Sequence, residues 1–460
     1  MSVSSAKVAF SKDMPVTVVG LGASGVAAAL LASKRGARVL GMDTRSKEQL
    51  GAAAAQLEAG GVALSLGAHD EGALLASKLI VVSPGVPQFP ALERALAQGI
   101  PVLGEVEFAV QSLEHPAPIV AIGGTNGKST VTTLVGAMLG AAGGKVFVGG
   151  NLGEPLASHT HEAFSAVVLE VSSFQMERVA TFKPKVSALL NITADHLDRY
   201  AGFDDYAQAK GQAFLQQGEG DVAVVPAHDA GCLAQAQRGK GRVVTFGPGG
   251  DVDVSDVVIT RGKELYPRAE IALQGGHNAL NCAAAIACAR EMGVSENIVR
   301  AVLREFTGLP HRMAFVATVG DVRYYDDSKG TNVGASVTAL LGTKEPKVVL
   351  IAGGKDKGGS YEPLVSAMAQ KGRAIVLIGE AKDLIAKAMG TVVPAAMATD
   401  MADAVRRARE FAKPGDAVLL SPACASFDMF RDYKHRGDEF VAAVRALGKA
   451  SVPPSTGTGR

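Results

Sequence analysis

Two glycine-rich segments carry residue types that bind phosphate. Gly20-Leu-Gly22-Ala-Ser-Gly25 has the spacing G-x-G-x-x-G, follows an apolar run and opens a helical pattern. Glycines so placed permit a tight turn and let a pyrophosphate rest on the helix N-terminus. Asp43, eighteen residues beyond Gly25, is placed to reach a ribose or similar hydroxyl. Any nucleotide diphosphate presents such a pyrophosphate, so this segment does not single out NAD. The second segment is Gly123-Gly124-Thr125-Asn126-Gly127-Lys128-Ser129-Thr130, with Ile122 where a strict phosphate-loop pattern has its first glycine. Gly124 and Gly127 still free backbone N–H groups to cradle phosphates, Lys128 can reach the terminal phosphates, and Ser129 stands where a magnesium-binding hydroxyl belongs. ATP is the nucleotide implied. Glu170 closes another apolar run, where a carboxylate is either a surface charge or a hard oxygen ligand, and the phosphate loop favours magnesium. One pyrophosphate site would suffice for a kinase, and a dehydrogenase has no use for the lysine loop. The pair points to an ATP-driven enzyme whose other substrate is itself a nucleotide conjugate.

Such segments need strand ends to hold them. Short β-branched runs followed by glycine turns and Ala/Leu helical patterns recur at Val16–Gly20, Leu79–Ser83, Ile119–Gly123, Ala166–Glu170, Val186–Leu190, Val348–Ala352, Ile375–Gly379 and Ala417–Ser421. Continuous apolar strands alternating with helices predict parallel sheets covered on both faces, an α/β fold. Eight strands are many for one sheet, and Pro-rich breaks at Glu114–Pro118 and Phe306–His311 mark seams. Three domains are expected, over 1–112, 113–308 and 309–460. Ala52–Ala55 reads as a helical run, and Ser451–Arg460, turn-rich and of low complexity, as a frayed end.

Composition narrows the class. The 460 residues include 46 Lys and Arg against 45 Asp and Glu, a net charge of +1 with no broad electrostatic footprint for nucleic acid or an anionic membrane. Apolar residues make up 47%, yet no run approaches the ~18 residues of a membrane span. Met1–Ser11 lacks a secretory apolar segment, so a soluble, cytoplasmic protein is expected. Cys232, Cys282, Cys288 and Cys424 form no C-x-x-C pair and read as reduced, mostly buried thiols. Glycine, at 54 residues, is well above the usual share of about 7%, in keeping with many tight turns near ligand. His159-Thr-His161 has metal-pair spacing but lies away from any strand end, so a solvated loop is the expectation.

Taken in order, the motifs resemble the Mur ligases, ATP-dependent amide-forming enzymes of peptidoglycan synthesis. The resemblance runs to about residue 445 and is carried by the two glycine segments, Ser83-Pro-Gly-Val86, Gly149-Gly-Asn151, Glu170-Val-Ser-Ser-Phe-Gln175, Asn191-Ile-Thr-Ala-Asp-His196-Leu-Asp-Arg199, His277-Asn278-Ala-Leu-Asn281, His311-Arg312, Asp327-Ser-Lys329 and Ser421-Pro-Ala-Cys-Ala-Ser426. It implies a Rossmann-like N-terminal domain, a central P-loop ATPase-like domain and a Rossmann-like C-terminal domain. It also implies a reaction: a substrate carboxylate, that of UDP-N-acetylmuramoyl-L-alanine, attacks the γ-phosphate of ATP, and the amine of D-glutamate displaces phosphate from the acyl phosphate. Only these small molecules are implied as partners, and a monomer is the expectation for an oligomeric state that the residues leave open.

Several roles follow from the resemblance. His196 becomes a ligand of a second magnesium, and Lys210, which composition alone makes a solvated helix lysine, becomes a carbamate ligand. Ala23, Ser24, Asp43, Thr44, Arg45 and Ser83 match the uridine diphosphate site, and Asn151 a contact toward the muramoyl group. Thr331, Lys357, Ser426, Phe427 and Tyr433 match the D-glutamate pocket, with Tyr433 where Phe is usual and Lys355 competing with Lys357 for the side-chain carboxylate. Asn278 and Asn281, three residues apart on an expected helix Asn278–Glu291, share a face suited to adenine and phosphate. Arg312 and Lys329 offer charge to polyphosphate, with Asp327 suited to ribose or to orienting Lys329. A folylpolyglutamate synthase resembles the last two domains but has no place for a nucleotide fingerprint ahead of the phosphate loop. A non-catalytic scaffold should lack some of Lys128, Glu170, His196 and Lys210, and none is missing.

Overall fold

The computed structural model describes residues 11–196, 199–273, 275–357 and 360–450. The expectations for residues 1–10 and Ser451–Arg460 lie outside them, as do Leu197 and Asp198 of the His196 motif. All eight apolar runs are strands, and among the described residues they distribute over three sheets.

The first sheet is parallel throughout, in the order Ala63–Leu66, Arg38–Asp43, Pro15–Val19, Leu79–Val82, Val102–Gly104. The order reverses between Pro15–Val19 and Leu79–Val82, so the crevice beyond their C-terminal ends is where such a sheet binds ligand. Gly20 and Ser83 follow those two ends. The second sheet has Ile119–Gly123 between Ala166–Glu170 and Val186–Leu189, all parallel, with Val146–Gly150 at one edge. Its other side continues through Val222–Pro226 and Arg242–Phe246 into Val252–Val254, then turns antiparallel at Val258–Arg261 and Glu264–Pro267. The third sheet runs Ala314–Val319, Val322–Asp326, Ala417–Leu420, Val348–Gly353, Gly372–Ile378, Ala395–Met397, with the first strand antiparallel. The second and third sheets are therefore mixed, where parallel sheets were expected.

The chain divides into two compact units. One holds Met1–Ile192, Asp204–Ala272 and Ala279–Phe306; the other holds Thr193–Phe203, Leu273–Asn278 and Thr307–Arg460. The first two sheets share one unit because their apolar surfaces merge: Val16, Val18 and Leu103 belong to the same buried cluster as Ile119, Val167 and Phe182. The Pro-rich break at Glu114–Pro118 thus separates sheets without separating cores. Two hydrophilic grips reinforce the join. Glu107, buried on helix Glu105–Gln111, accepts the backbone N–H groups of Ala180, Thr181 and Phe182 at 3.0–3.1 Å. Arg178 donates to Val86 O and Gln88 Oε1 on the loop after Leu79–Val82. The second unit has its own cores on the two faces of the third sheet. All four cysteines are buried and unbridged, Cys232, Cys282 and Cys288 in the first unit and Cys424 in the second. Among the described residues no helix is long and apolar enough to cross a membrane.

Candidate active site

In the first unit the phosphate loop leaves the end of Ile119–Gly123 and enters helix Lys128–Ala141. Gly124 (φ 137°) and Gly127 (φ 85°) have backbone conformations that a side chain would strain, and a Cβ on Gly127 would stand 2.4 Å from Asn281 Oδ1. The helix N-cap, Gly127, has no side chain to cap the first turn, and a helix N-terminus favours an anion. The loop is braced from behind. Thr125 N donates to Asn191 O at 3.0 Å, Asn126 N to Asn191 Oδ1 at 2.8 Å, and Asn191 Nδ2 returns a bond to Asn126 O at 3.1 Å. Thr125 Oγ1 meets the Tyr206 hydroxyl at 3.1 Å. Lys128 Nζ folds onto the loop, donating to Gly124 O at 2.9 Å and Thr125 O at 2.7 Å. Ser129 and Thr130 are buried beside it. Sequence reasoning assigned no role to Asn191 or Tyr206; Asn191 stood in a quoted motif, but nothing marks a bracing amide from its type alone.

Glu170 ends the strand next to the loop strand and is 1% exposed. Its Oε1 accepts from Asn151 Nδ2 at 2.6 Å, so Asn151, matched to a muramoyl contact, is also the residue that orients this carboxylate. Lys210 is not a solvated helix lysine: it is 6% exposed on helix Phe203–Gly211, donates from Nζ to Gly124 O at 2.8 Å and lies 4.5 Å over the Tyr206 ring. Asn281 rests on Gly127, and its helix begins at Gly276, two residues before the expected start.

At the end of the first sheet, Gly20 (φ 85°) turns the chain, and a Cβ on Gly25 would stand 1.8 Å from Gly20 O. Ser83 Oγ donates to Gly20 O at 2.7 Å, which ties the two crevice loops together. The buried Asp43 carboxylate accepts Leu21 N at 2.7 Å and Arg45 N at 2.9 Å and pairs with the Arg45 guanidinium at 2.8 Å. Burial opposes ionisation, but the Arg45 bonds and Leu21 amide outweigh it and hold the group down at about 2. Asp43 therefore shapes the turn and aims Arg45, while Ala23, Thr44 and Arg45 are the exposed members of the group and Ser24 is half-buried.

The second unit carries the remaining candidates, His196, Asn278, Arg312, Asp327, Lys329, Thr331, Lys357, Ser426, Phe427 and Tyr433. His196 has φ 55° and its Nε2 lies 3.7 Å from Asp195 Oδ2. Asp195 also meets Lys357 Nζ at 3.7 Å and Asn332 Nδ2 at 3.2 Å, so Lys357 already has a carboxylate partner, whereas Lys355 is exposed on a backbone bridge to Ala425. Asp327 is buried and accepts Ser421 Oγ at 2.7 Å and Met313 N at 3.3 Å, and burial pushes its carboxyl up to about 7. Lys329 Nζ lies 4.0 Å over the Tyr433 ring, a cation–π contact between residues read separately as phosphate and glutamate contacts. Ser426 is buried, Thr331 half-buried, and Phe427 is 71% exposed.

Among the described residues no three His, Cys, Asp or Glu side chains form a metal cage. Magnesium at a phosphate loop does not require one, since one or two carboxylates suffice and substrate phosphates and water complete the shell. Glu170 and the Ser129 hydroxyl fit that donor set. Lys210, as an ammonium, donates; only as a carbamate would it become an oxygen ligand. His159-Thr-His161, the pair with metal-ligand spacing, is not a metal site. His159, expected in a solvated loop, is instead held between Glu162 at 2.7 Å and Glu154 at 2.6 Å and packs on Phe147.

A nucleotide-type crevice, a phosphate loop and a third sheet, following one another in chain order, make up the three-sheet layout of an ATP-dependent ligase. The chain belongs to the Mur ligase family: it matches the MurD-like N-terminal domain over residues 14–104, the Mur ligase middle domain over 122–289 and the Mur ligase glutamate ligase domain over 311–424. Relatives described as UDP-N-acetylmuramoylalanine--D-glutamate ligase include those of Desulfosudis oleivorans, 42% identical over 95% of this chain and 97% of the relative, and Geotalea daltonii, 44% identical over 95% and 98%. Among solved structures, MurF ligase from Thermotoga maritima in complex with ADP matches with TM-score 0.62 at 16% identity over 96% of this chain and all of that one. A Mycobacterium tuberculosis folylpolyglutamate synthase complexed with ADP has TM-score 0.58 at 15% identity, covering 73% of this chain and 91% of that one.

Proposed function

We propose that this Mur ligase joins D-glutamate to UDP-N-acetylmuramoyl-L-alanine, using ATP, in peptidoglycan precursor synthesis in the cytoplasm. The observation that carries the reading is the 42–44% identity, over nearly the whole chain, to relatives bearing that activity in their names. The geometry supports it. The Gly20 crevice takes the uridine diphosphate, with Arg45 as the exposed cation, and Ser83 fixes the crevice loops. Gly124–Thr130 cradles the ATP phosphates on the helix N-terminus, with Lys128 turning from loop carbonyls to the terminal phosphates. Magnesium would neutralise charge on the transferring phosphoryl group, and Glu170, Ser129, His196 and a carbamylated Lys210 are the residues that would hold two such ions. Arg312, Lys329, Asp327, Asn278 and Asn281 complete the nucleotide contacts. Thr331, Lys357, Ser426, Phe427 and Tyr433 receive D-glutamate, Lys357 exchanging Asp195 for the substrate's side-chain carboxylate. The test is phosphate release with UDP-N-acetylmuramoyl-L-alanine and each enantiomer of glutamate. Release that needs both the uridine substrate and D-glutamate is expected; equal turnover with L-glutamate, or release without the uridine substrate, overturns the assignment.

A further inference from the structure

Among the described residues Arg436 is the largest fully buried side chain, 0% exposed on helix Tyr433–Ala450. Burying a guanidinium is costly unless its donors are met, and an apolar residue would fill the space at less cost. Its donors all go to loops. Nε donates to Ser328 Oγ at 3.0 Å and Nη2 to Ser328 O at 2.8 Å. Nη1 donates to Cys424 O at 3.2 Å and Ala425 O at 3.3 Å. Gly354 lies against it too, where an added Cβ would come within 3.2 Å of Nη1. Ser328 in turn donates from Oγ to Tyr433 O at 2.8 Å.

Those loops follow three strands of the third sheet, Val322–Asp326, Ala417–Leu420 and Val348–Gly353, at their C-terminal ends. Ser328 lies between Asp327 and Lys329, Ala425 precedes Ser426, and Gly354 leads to Lys357. One planar fork therefore sets the spacing between the segment read as nucleotide-contacting and the segments read as glutamate-contacting. A lysine has one nitrogen and cannot reproduce a fork of this span.

We propose that Arg436 is a positioning residue that locks the nucleotide and amino-acid loops of the second unit into one register. The consequence for turnover rests on the function proposed above; the brace itself does not. Two measurements on full-length protein separate them. Amide exchange of Arg436→Met should rise together over residues 327–331 and 423–427, while strand Val348–Gly353 stays protected. In phosphate-release kinetics, KM for D-glutamate and for ATP should both rise, kcat/KM for each falling on the order of 10²-fold as misplacement at a reacting centre does. KM for the uridine substrate should not move. Ser328→Ala, which keeps the guanidinium and loses one acceptor, should shift the same two KM values less, and Arg436→Lys should recover little. Where Arg436→Met fails to fold, Ser328→Ala carries both measurements. Unchanged exchange in the two loops overturns the brace, and a fall in kcat with all three KM values unchanged shows packing alone. Wild-type protein inactive with D-glutamate would instead refute the assigned reaction and leave the exchange result to decide the brace.

Discussion

Lys128 shows how a side chain is stored before use. It spends its charge on two loop carbonyls, bonds that a triphosphate would outcompete. Lys128→Ala should lower turnover on the order of 10²- to 10³-fold, as loss of a transition-state donor does, while calorimetric titration still finds the uridine substrate bound. Loss of that binding as well would show the two phosphate sites misassigned. Lys210 raises a different question, because carbamylation would replace a donor by an anion at the position where Nζ now bonds Gly124 O. Lys210→Ala should be severely impaired and partly restored by short carboxylates, and activity should fall when carbon dioxide is removed; near-normal activity in all three conditions would discard the carbamate. Glu105 was invisible to motif reading, since nothing in its type or spacing sets it apart. It is buried at the start of its helix, and burial pushes its carboxyl from 4.5 up to about 7 against a counteracting bond from Gln175. The folded chain then holds this proton where the unfolded chain has lost it, so stability falls as pH rises from about 4.5 to 7 and is level above. The loss amounts to about 3 kcal/mol. Glu105→Gln should remove that slope in denaturant melts compared at pH 5 and pH 8; parallel slopes in the two proteins would contradict it.

Among the elements, helix Glu105–Gln111 is short yet decisive, because Glu107 serves three backbone amides of a loop from the next sheet. Glu107→Ala strands those buried donors and should cost about 3 kcal/mol, read in urea melts, with amide exchange at Ala180–Phe182 rising first. Unaltered exchange there would place the cost elsewhere. What could be read from sequence follows the same physics. Runs such as Ile119–Gly123 and Val348–Ala352 are buried on both faces, so their apolar content announces them. Val252–Val254, Val258–Arg261 and Glu264–Pro267 are short, half-polar and part of an antiparallel edge with no helix between them, so the strand–turn–helix rhythm skips them. Ala314–Val319 is missed for the same reason: its pattern is half-exposed and its partner follows a tight Gly320-Asp321 turn. At the site, the phosphate loop is legible because its motif demands glycine, lysine and serine at set spacings. Asn191 and Tyr206 brace that loop, and Arg436 the loops of the third sheet, from far along the chain, and no local spacing encodes a contact made by folding.

On the scale of the whole molecule, the merged core of the first two sheets makes residues 11–192 a poor candidate for division at the Pro-rich break, whereas the second unit carries separate cores of its own. The buried thiols turn this into a chemical record. Burial raises all four, Cys282 to about 12 and Cys424 to about 11, with Cys232 and Cys288 pushed up as well. The thiolate is the form that alkylates, so folded protein should resist iodoacetamide at pH 8, and rapid labelling of the native protein would refute this. In rising denaturant, mass spectrometry of pulse-labelled peptides should find Cys232, Cys282 and Cys288 marked as one group and Cys424 on its own schedule. The chain thus carries a native reporter in each unit, which times the opening of each without an added dye or an engineered label.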